Sequence, residues 1–407
     1  MSDSALHQFR IIDLTGGIAG QYGTKYFGDY GANVILVEPP RTGSGTRKTG
    51  PFLQDDPHPE KSLLFLYLNN NKRGVSLDIS TPSGRDLLFD LMRDADVVFE
   101  DYAPGHLGSL GLGYEQVKDV NPDVVYTSIT PFGQYGPYRN YRGNDLLYYA
   151  LGGMMYTSGS YDREPLKHGH PQTLYMGGMI AAYATSAALF ARETTGLGQH
   201  IDLSLHEVMA SHHYAAPLMY TFTGAIERRA PKLESGSTKG TGFEGIVAAK
   251  DGYIGPTMQR GRQRPPFSVF AEMIGHPEIA DPIFDTPAGR QENSAELDEA
   301  VMPKLKEQGK FEYFEKAMTE GWVAGVVQTP EDLLRCPQLE ERGYFHQLEH
   351  PVIGTVTIPG EPFKLPASPW ELRLPAPLLG QHNQDVYCTE LGYGKAQLTL
   401  LRQQGTI

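Results

Sequence analysis

Short apolar runs and helical stretches alternate through the first half of the chain. Residues 10–14 (RIIDL) form an apolar run that meets a glycine turn at 16–20 and then the helical stretch QYGTKYFGDYG. Residues 33–38 (NVILVE) read as a second strand, closed by Pro39 and Pro40. Residues 75–79 alternate apolar and polar, which fits a half-exposed strand. Thr81 followed by Pro82 predicts a helix N-cap with proline at the first helical position. Leu87, Leu88, Leu91 and Met92 then share one helical face. Residues 96–100 and 123–129 supply two more strands. Strands separated by helices of this length imply βαβ units, an α/β fold and a mostly parallel sheet.

The pattern changes further along. Residues 176–193 are rich in Ala, Met and Leu without proline and predict a buried helix. Residues 200–205 alternate again. Residues 227–245 are polar and glycine-rich, as in a linker or a mobile loop. After them, VAAKDGYIG predicts a hairpin, 294–321 carries helical charge patterning, 350–360 predicts a second hairpin, and the tail predicts a short helix. No internal repeat is visible.

Composition narrows the function classes. The chain has 407 residues and a formal charge of −13, which argues against nucleic acid or an anionic membrane as the main partner. Two cysteines, Cys336 and Cys388, exclude a disulfide framework and a thiolate metal cluster and suit the cytoplasm. No secretory signal is expected at the start, and no membrane span, because no apolar run reaches about 18 residues.

Several motifs carry candidate chemistry. Gly16, Gly17 and Gly20, with Glu38 ending the next strand, suggest a nucleotide-binding turn, but their spacing is not GxGxxG. Residues 240–245 (GTGFEG) do match GxGxxG but lack a following helix; a glycine lid and a plain linker are the two readings. Residues 43–50 (GSGTRKTG) lack P-loop spacing and read as a basic, glycine-rich loop; a phosphate contact and a solvated loop are the two readings. Lys72 and Arg73 offer two cations to an anion or stand in a solvated turn. His206, Glu207, His212 and His213 do not make HExxH, so no metal site is expected.

Six stretches, in order along the chain, resemble the class III CoA-transferase family, which includes α-methylacyl-CoA racemases and carnitine CoA-transferase. They begin at RIIDLTGGIAGQYG, LNNNKRGVSLD, SITPFGQYGPY, ARETTGLGQ, RGYFHQLEHPV and PAPLLGQHNQDV. The resemblance implies a Rossmann-like large domain over 1–205 completed by 350–407, a linker over 206–235, a smaller α/β domain over 236–330 and a return linker over 331–349. It implies two chains interlocked as a dimer. It places a CoA thioester, as substrate and with no tightly bound cofactor, near Ile18 and Ala19, near Lys72 and Arg73, and along Asp101, Tyr102, Ala103 and Gly105. It makes Gly240, Gly242, Glu244 and Gly245 a lid.

The same resemblance exposes departures. Family transferases attack the acyl-CoA with one aspartate, dividing the exchange through an anhydride and an enzyme thioester. Counting back from Arg192 and Glu193 puts that position on Leu174, or on Thr173 with a one-residue slip, and residues 168–178 contain no Asp or Glu. The racemase pattern fails too, because Asn144 stands where the histidine belongs. Ser109 replaces an arginine that commonly precedes LGLGY. The expectation is a subunit without catalytic residues of its own. It would support a paralogous subunit that carries the aspartate, as in two-gene members moving CoA between succinyl-CoA and a benzylsuccinate-like acid. The alternatives are a homo-oligomer with a relocated carboxylate, Asp145 or Glu244, and a CoA-binding protein without chemistry.

Overall fold

The apolar runs of the first half become a six-stranded sheet in a computed structural model, which describes residues 4–407 apart from 160–162, 214, 230–242, 244 and 257–264. In chain order the elements are β1 (Arg10–Asp13), α1 (Ile18–Asp29), β2 (Asn33–Glu38), α2 (Leu63–Asn69) and β3 (Lys72–Ser76). Next come α3 (Pro82–Arg93), β4 (Val97–Glu100), α4 (His106–Ser109), α5 (Tyr114–Lys118) and β5 (Val125–Thr130). Then follow α6 (Asp145–Leu151), α7 (Met154–Thr157), α8 (Gln172–Thr195), β6 (Gln199–Ser204) and α9 (Leu205–His212). The strand order is β3-β2-β1-β4-β5-β6, with every pair parallel. β1 and β4 are adjacent and their chains leave in opposite directions, so a crevice is expected above their C-terminal ends.

Local chemistry explains the elements. Strands β1, β2 and β4 are buried on both faces, hence their near-continuous apolar runs. Thr81 Oγ1 accepts from Gly84 N with Pro82 at the first position, and Leu87, Leu88, Leu91 and Met92 are buried, as the sequence predicts. Helices α1 and α8 pack on the opposite face of the sheet. Their approach needs glycine: a Cβ on Gly178 would lie 2.5 Å from Ala19 O. The Thr127–Thr185 hydroxyl bond, 2.7 Å, ties α8 to β5. By length and composition α8 could cross a membrane. Here it is a layer of the sheet domain.

The chain forms two compact units. One comprises Met1–Met154, His168–Tyr214 and Glu341–Ile407; the other comprises Met155–Lys167 and Ala215–Glu340. These limits differ from those expected. Residues 206–212 of the expected linker continue helix α9 (Leu205–His212), whose Leu205, Val208 and Met209 are buried. Residues 331–340 belong to the second unit rather than to a return linker. That unit has an antiparallel sheet of β7 (Val247–Ala249), β8 (Gly252–Pro256) and β9 (Ala324–Val326) around a core including Phe267, Phe270, Tyr313 and Trp322. The late hairpin pairs Phe345–His350 with Gly354–Pro359 and belongs to the first unit.

Candidate functional site

The crevice is built from two turns. After β1 the chain makes the turn Thr15–Gly16–Gly17 into α1, whose N-cap, Gly17, has no side chain to satisfy the first N–H groups. After β4 it makes the turn Asp101–Gly105 into α4, and Gly105 takes φ +83, a conformation that favours glycine. Asp101 joins the two turns. Its Oδ1 accepts from Gly16 N at 2.9 Å and its Oδ2 from Gly17 N at 2.8 Å. Burial raises the Asp101 carboxyl to about 6, against the lowering effect of those two donors.

Glu100 is buried beside it. Its Oε2 accepts from Tyr102 N at 2.8 Å. Burial raises it to about 7, only partly offset by bonds from Ser128 and Tyr102 N. Ser128 Oγ also lies 2.9 Å from His200 Nε2, and His200 stacks on Tyr114. These groups line a cavity of about 270 Å³ with Ala103, Gly105 and Gln134. Burial lowers the His200 pKa, so its ring favours the neutral form. Sequence reasoning took in Glu100 only as the first residue of the stretch 100–105 expected along CoA, and it passed over Ser128 and His200. The signal was the strand register, which sets Glu100 beside Ser128 and Tyr126 beside His200.

Of the two expected cations, Lys72 is closed off from an anion and Arg73 is engaged at another part of the sheet. Lys72 is fully buried, and its Nζ donates among Asp13 Oδ2 (3.1 Å), Gln21 O (2.9 Å), Thr24 Oγ1 (2.7 Å) and Asn69 Oδ1 (2.9 Å). Four acceptors saturate three ammonium hydrogens, so Lys72 braces α1 against the sheet. The solvated-turn reading fails as well, because Asn69, Asn70 and Asn71 are all buried. Arg73 pairs with Glu390 and with Asn33, beside Arg10. Arg10 and Asn33 open their strands, so the Arg73 side chain is drawn toward the end of the sheet opposite Gly17. Ile18 and Ala19 are the first residues of α1, directly after the Gly16–Gly17 turn; Ala19 is buried.

The basic loop at 43–50 packs against the first turn. A Cβ on Gly45 would lie 3.0 Å from Gly16 O. Arg47 is buried in pairs with Glu38 and Glu60, whereas Lys48 and Arg41 are exposed.

Leu174 stands in the first turn of α8, half-buried. The next residue, Tyr175, packs edge-on against Tyr22 at 5.0 Å. Asp145, the first residue of α6, accepts from Thr173 N at 2.9 Å through Oδ1. Of the expected lid, Gly240, Gly242 and Glu244 lie outside the described residues; Gly245 precedes β7. No cluster of metal-ligating side chains occurs among the described residues.

Comparison with known proteins agrees with this geometry. The family model for CoA-transferase family III matches residues 6–383. The succinyl-CoA:(R)-benzylsuccinate CoA-transferase subunit BbsE of Thauera aromatica is 30% identical, over 98% of this chain and 97% of that protein. A formyl-CoA:oxalate CoA-transferase of Streptomyces avermitilis is also 30% identical, over 99% of each. A CAIB/BAIF family protein from Brucella suis superposes with a TM-score of 0.83 at 27% identity, covering 95% of this chain and 99% of that one. A crevice at the switch point of a parallel sheet, with the whole length matched, leaves one assignment: the chain belongs to CoA-transferase family III.

Proposed function

We propose that this chain is a subunit of a cytoplasmic class III CoA-transferase that lacks the nucleophilic aspartate and works beside a paralogous chain that supplies it. The reaction moves CoA from an acyl-CoA, such as succinyl-CoA, to a small carboxylic acid, such as a benzylsuccinate-like acid. The observation that carries the proposal is Leu174. A hydrocarbon side chain cannot attack a thioester. The similarity to BbsE, named as a subunit, supports a two-chain enzyme.

CoA lies, in this reading, against the turns at Gly16–Gly17 and Asp101–Gly105, with its phosphates near Arg41 and Lys48. Those exposed cations take the part first expected of Lys72 and Arg73. The role of this chain is binding and shaping: it presents a rigid crevice and exposed apolar surface to its partner. The decisive assay measures exchange of labelled succinate into succinyl-CoA by the chain alone, by the paralogue alone and by the two co-purified. The expected result is exchange only when the paralogue is present. Sustained turnover by the lone chain would retire the proposal.

One observation favours a second reading. Asp145 sits within one residue of the emptied position, at the start of α8. Under that reading Asp145 is the nucleophile of a homo-oligomer. Its Oδ1 is already committed to a helix N–H, which stabilises the carboxylate and weakens it as a nucleophile. Hydroxylamine trapping of an acyl-enzyme, followed by peptide mapping, separates the two: a modified Asp145 supports this second reading alone.

A further inference from the structure

The first strand–helix turn of a nucleotide-binding sheet owes its phosphate affinity to free N–H groups and to the positive end of a helix dipole. Here both turn amides point at a carboxylate of the same chain. Asp101 meets Gly16 N and Gly17 N with one oxygen each, at 2.9 and 2.8 Å. The fit is close, since a Cβ on Gly17 would lie 2.9 Å from Asp101 Oδ2. Lys72, a cation expected to serve an external phosphate, is instead held by Asp13 and three neutral acceptors. The turn is therefore already supplied with an anion.

We propose that Asp101 is a specificity-determining residue: an internal anion that fills the phosphate position of the α1 turn and keeps ligand diphosphates off it. Dinucleotides, which rely on that turn, are refused. CoA must carry its diphosphate outside the turn, beside Arg41 and Lys48. This last clause rests on the CoA reading; the exclusion of anions does not.

The test uses the full chain with inorganic pyrophosphate and formate as probes. Asp101→Ala strips the anion and leaves two amides unsatisfied. The variant should melt below the parent, and formate or pyrophosphate should restore its melting temperature saturably, with chloride as the ionic-strength control. By calorimetry its pyrophosphate affinity should exceed the parent's by about tenfold or more. Should Asp101→Ala fail to fold, Asp101→Asn is titrated instead; it keeps one acceptor but no charge, and a gain in pyrophosphate affinity is again expected. The proposal is overturned if the parent binds pyrophosphate as tightly as the variant that folds, or if that variant gains no affinity. Titration of CoA into the parent is read separately. Absence of CoA binding there would remove the CoA reading and leave the anion result standing.

Discussion

At the scale of single residues, two adjacent carboxyls do different work. Asp101 is satisfied by two backbone donors; Glu100 is buried with a shared hydroxyl and one amide. The folded chain therefore holds a proton on Glu100 up to about pH 7, whereas an unfolded glutamate releases it near 4.5. Below 4.5 the carboxyl is neutral in both states and costs nothing. As pH rises through 7, the folded state must bury a charge, and the cost reaches about 3 kcal/mol. Glu100→Gln keeps an acceptor for Tyr102 N and removes the charge. It should melt with the parent at pH 4 and several degrees above it at pH 8. The Asp101 charge is one of the causes that raise Glu100, so the two adjacent carboxyls titrate as a coupled pair and the gap opens between 4.5 and about 7. A gap of equal size at both pH values would show that Glu100 ionises in the fold just as it does in the unfolded chain.

At the scale of elements, α8 concentrates what sequence could and could not reveal. Its existence was legible from an unbroken apolar stretch, and the strands were legible because burial on both faces forces apolar runs. The assignment of the emptied position to Leu174 belongs to the proposed function and rests on the count back from Arg192 in the family pattern. The partners of Lys72 were not legible. They come from β1, α1 and α2, and nothing local to NNNKRG announces that a cation will be turned inward. The link from Asp101 to Gly16 and Gly17 likewise joins residues some 85 positions apart. If α8 presents an otherwise complete site, restoring the acid should restore chemistry. Leu174→Asp should give the lone chain measurable CoA exchange, and hydroxylamine should convert the activated carboxyl at residue 174 to a hydroxamate with release of CoA. A variant that folds and binds CoA yet stays inert would mean that further elements of the site have been lost.

At the scale of the whole molecule, the same helix has one face too apolar for water. Ala181, Ala182, Ala188 and Leu189 are buried against the sheet domain, while Tyr183 and Phe190 are 74% and 79% exposed and Met179 is half-exposed. Next to them Leu6, Tyr26, Tyr30 and Phe363 line a groove of about 380 Å³ whose walls are almost wholly apolar. Large contiguous apolar surface of this kind marks an interface. A second chain of the same fold is the occupant that the proposed two-subunit enzyme requires. The inner and outer faces of α8 are distinct, so the outer one can be changed without touching the core. Tyr183→Glu with Phe190→Glu should leave the circular dichroism and the CoA affinity of the chain intact. Aromatic anchors at an interface typically contribute about 2 kcal/mol or more each, so the pair should weaken association with the catalytic chain by about several hundredfold or more. Sedimentation of the mixed chains reads this directly, and exchange activity should fall in parallel. Undiminished association would place the partner elsewhere and leave the apolar face of α8 to some other contact.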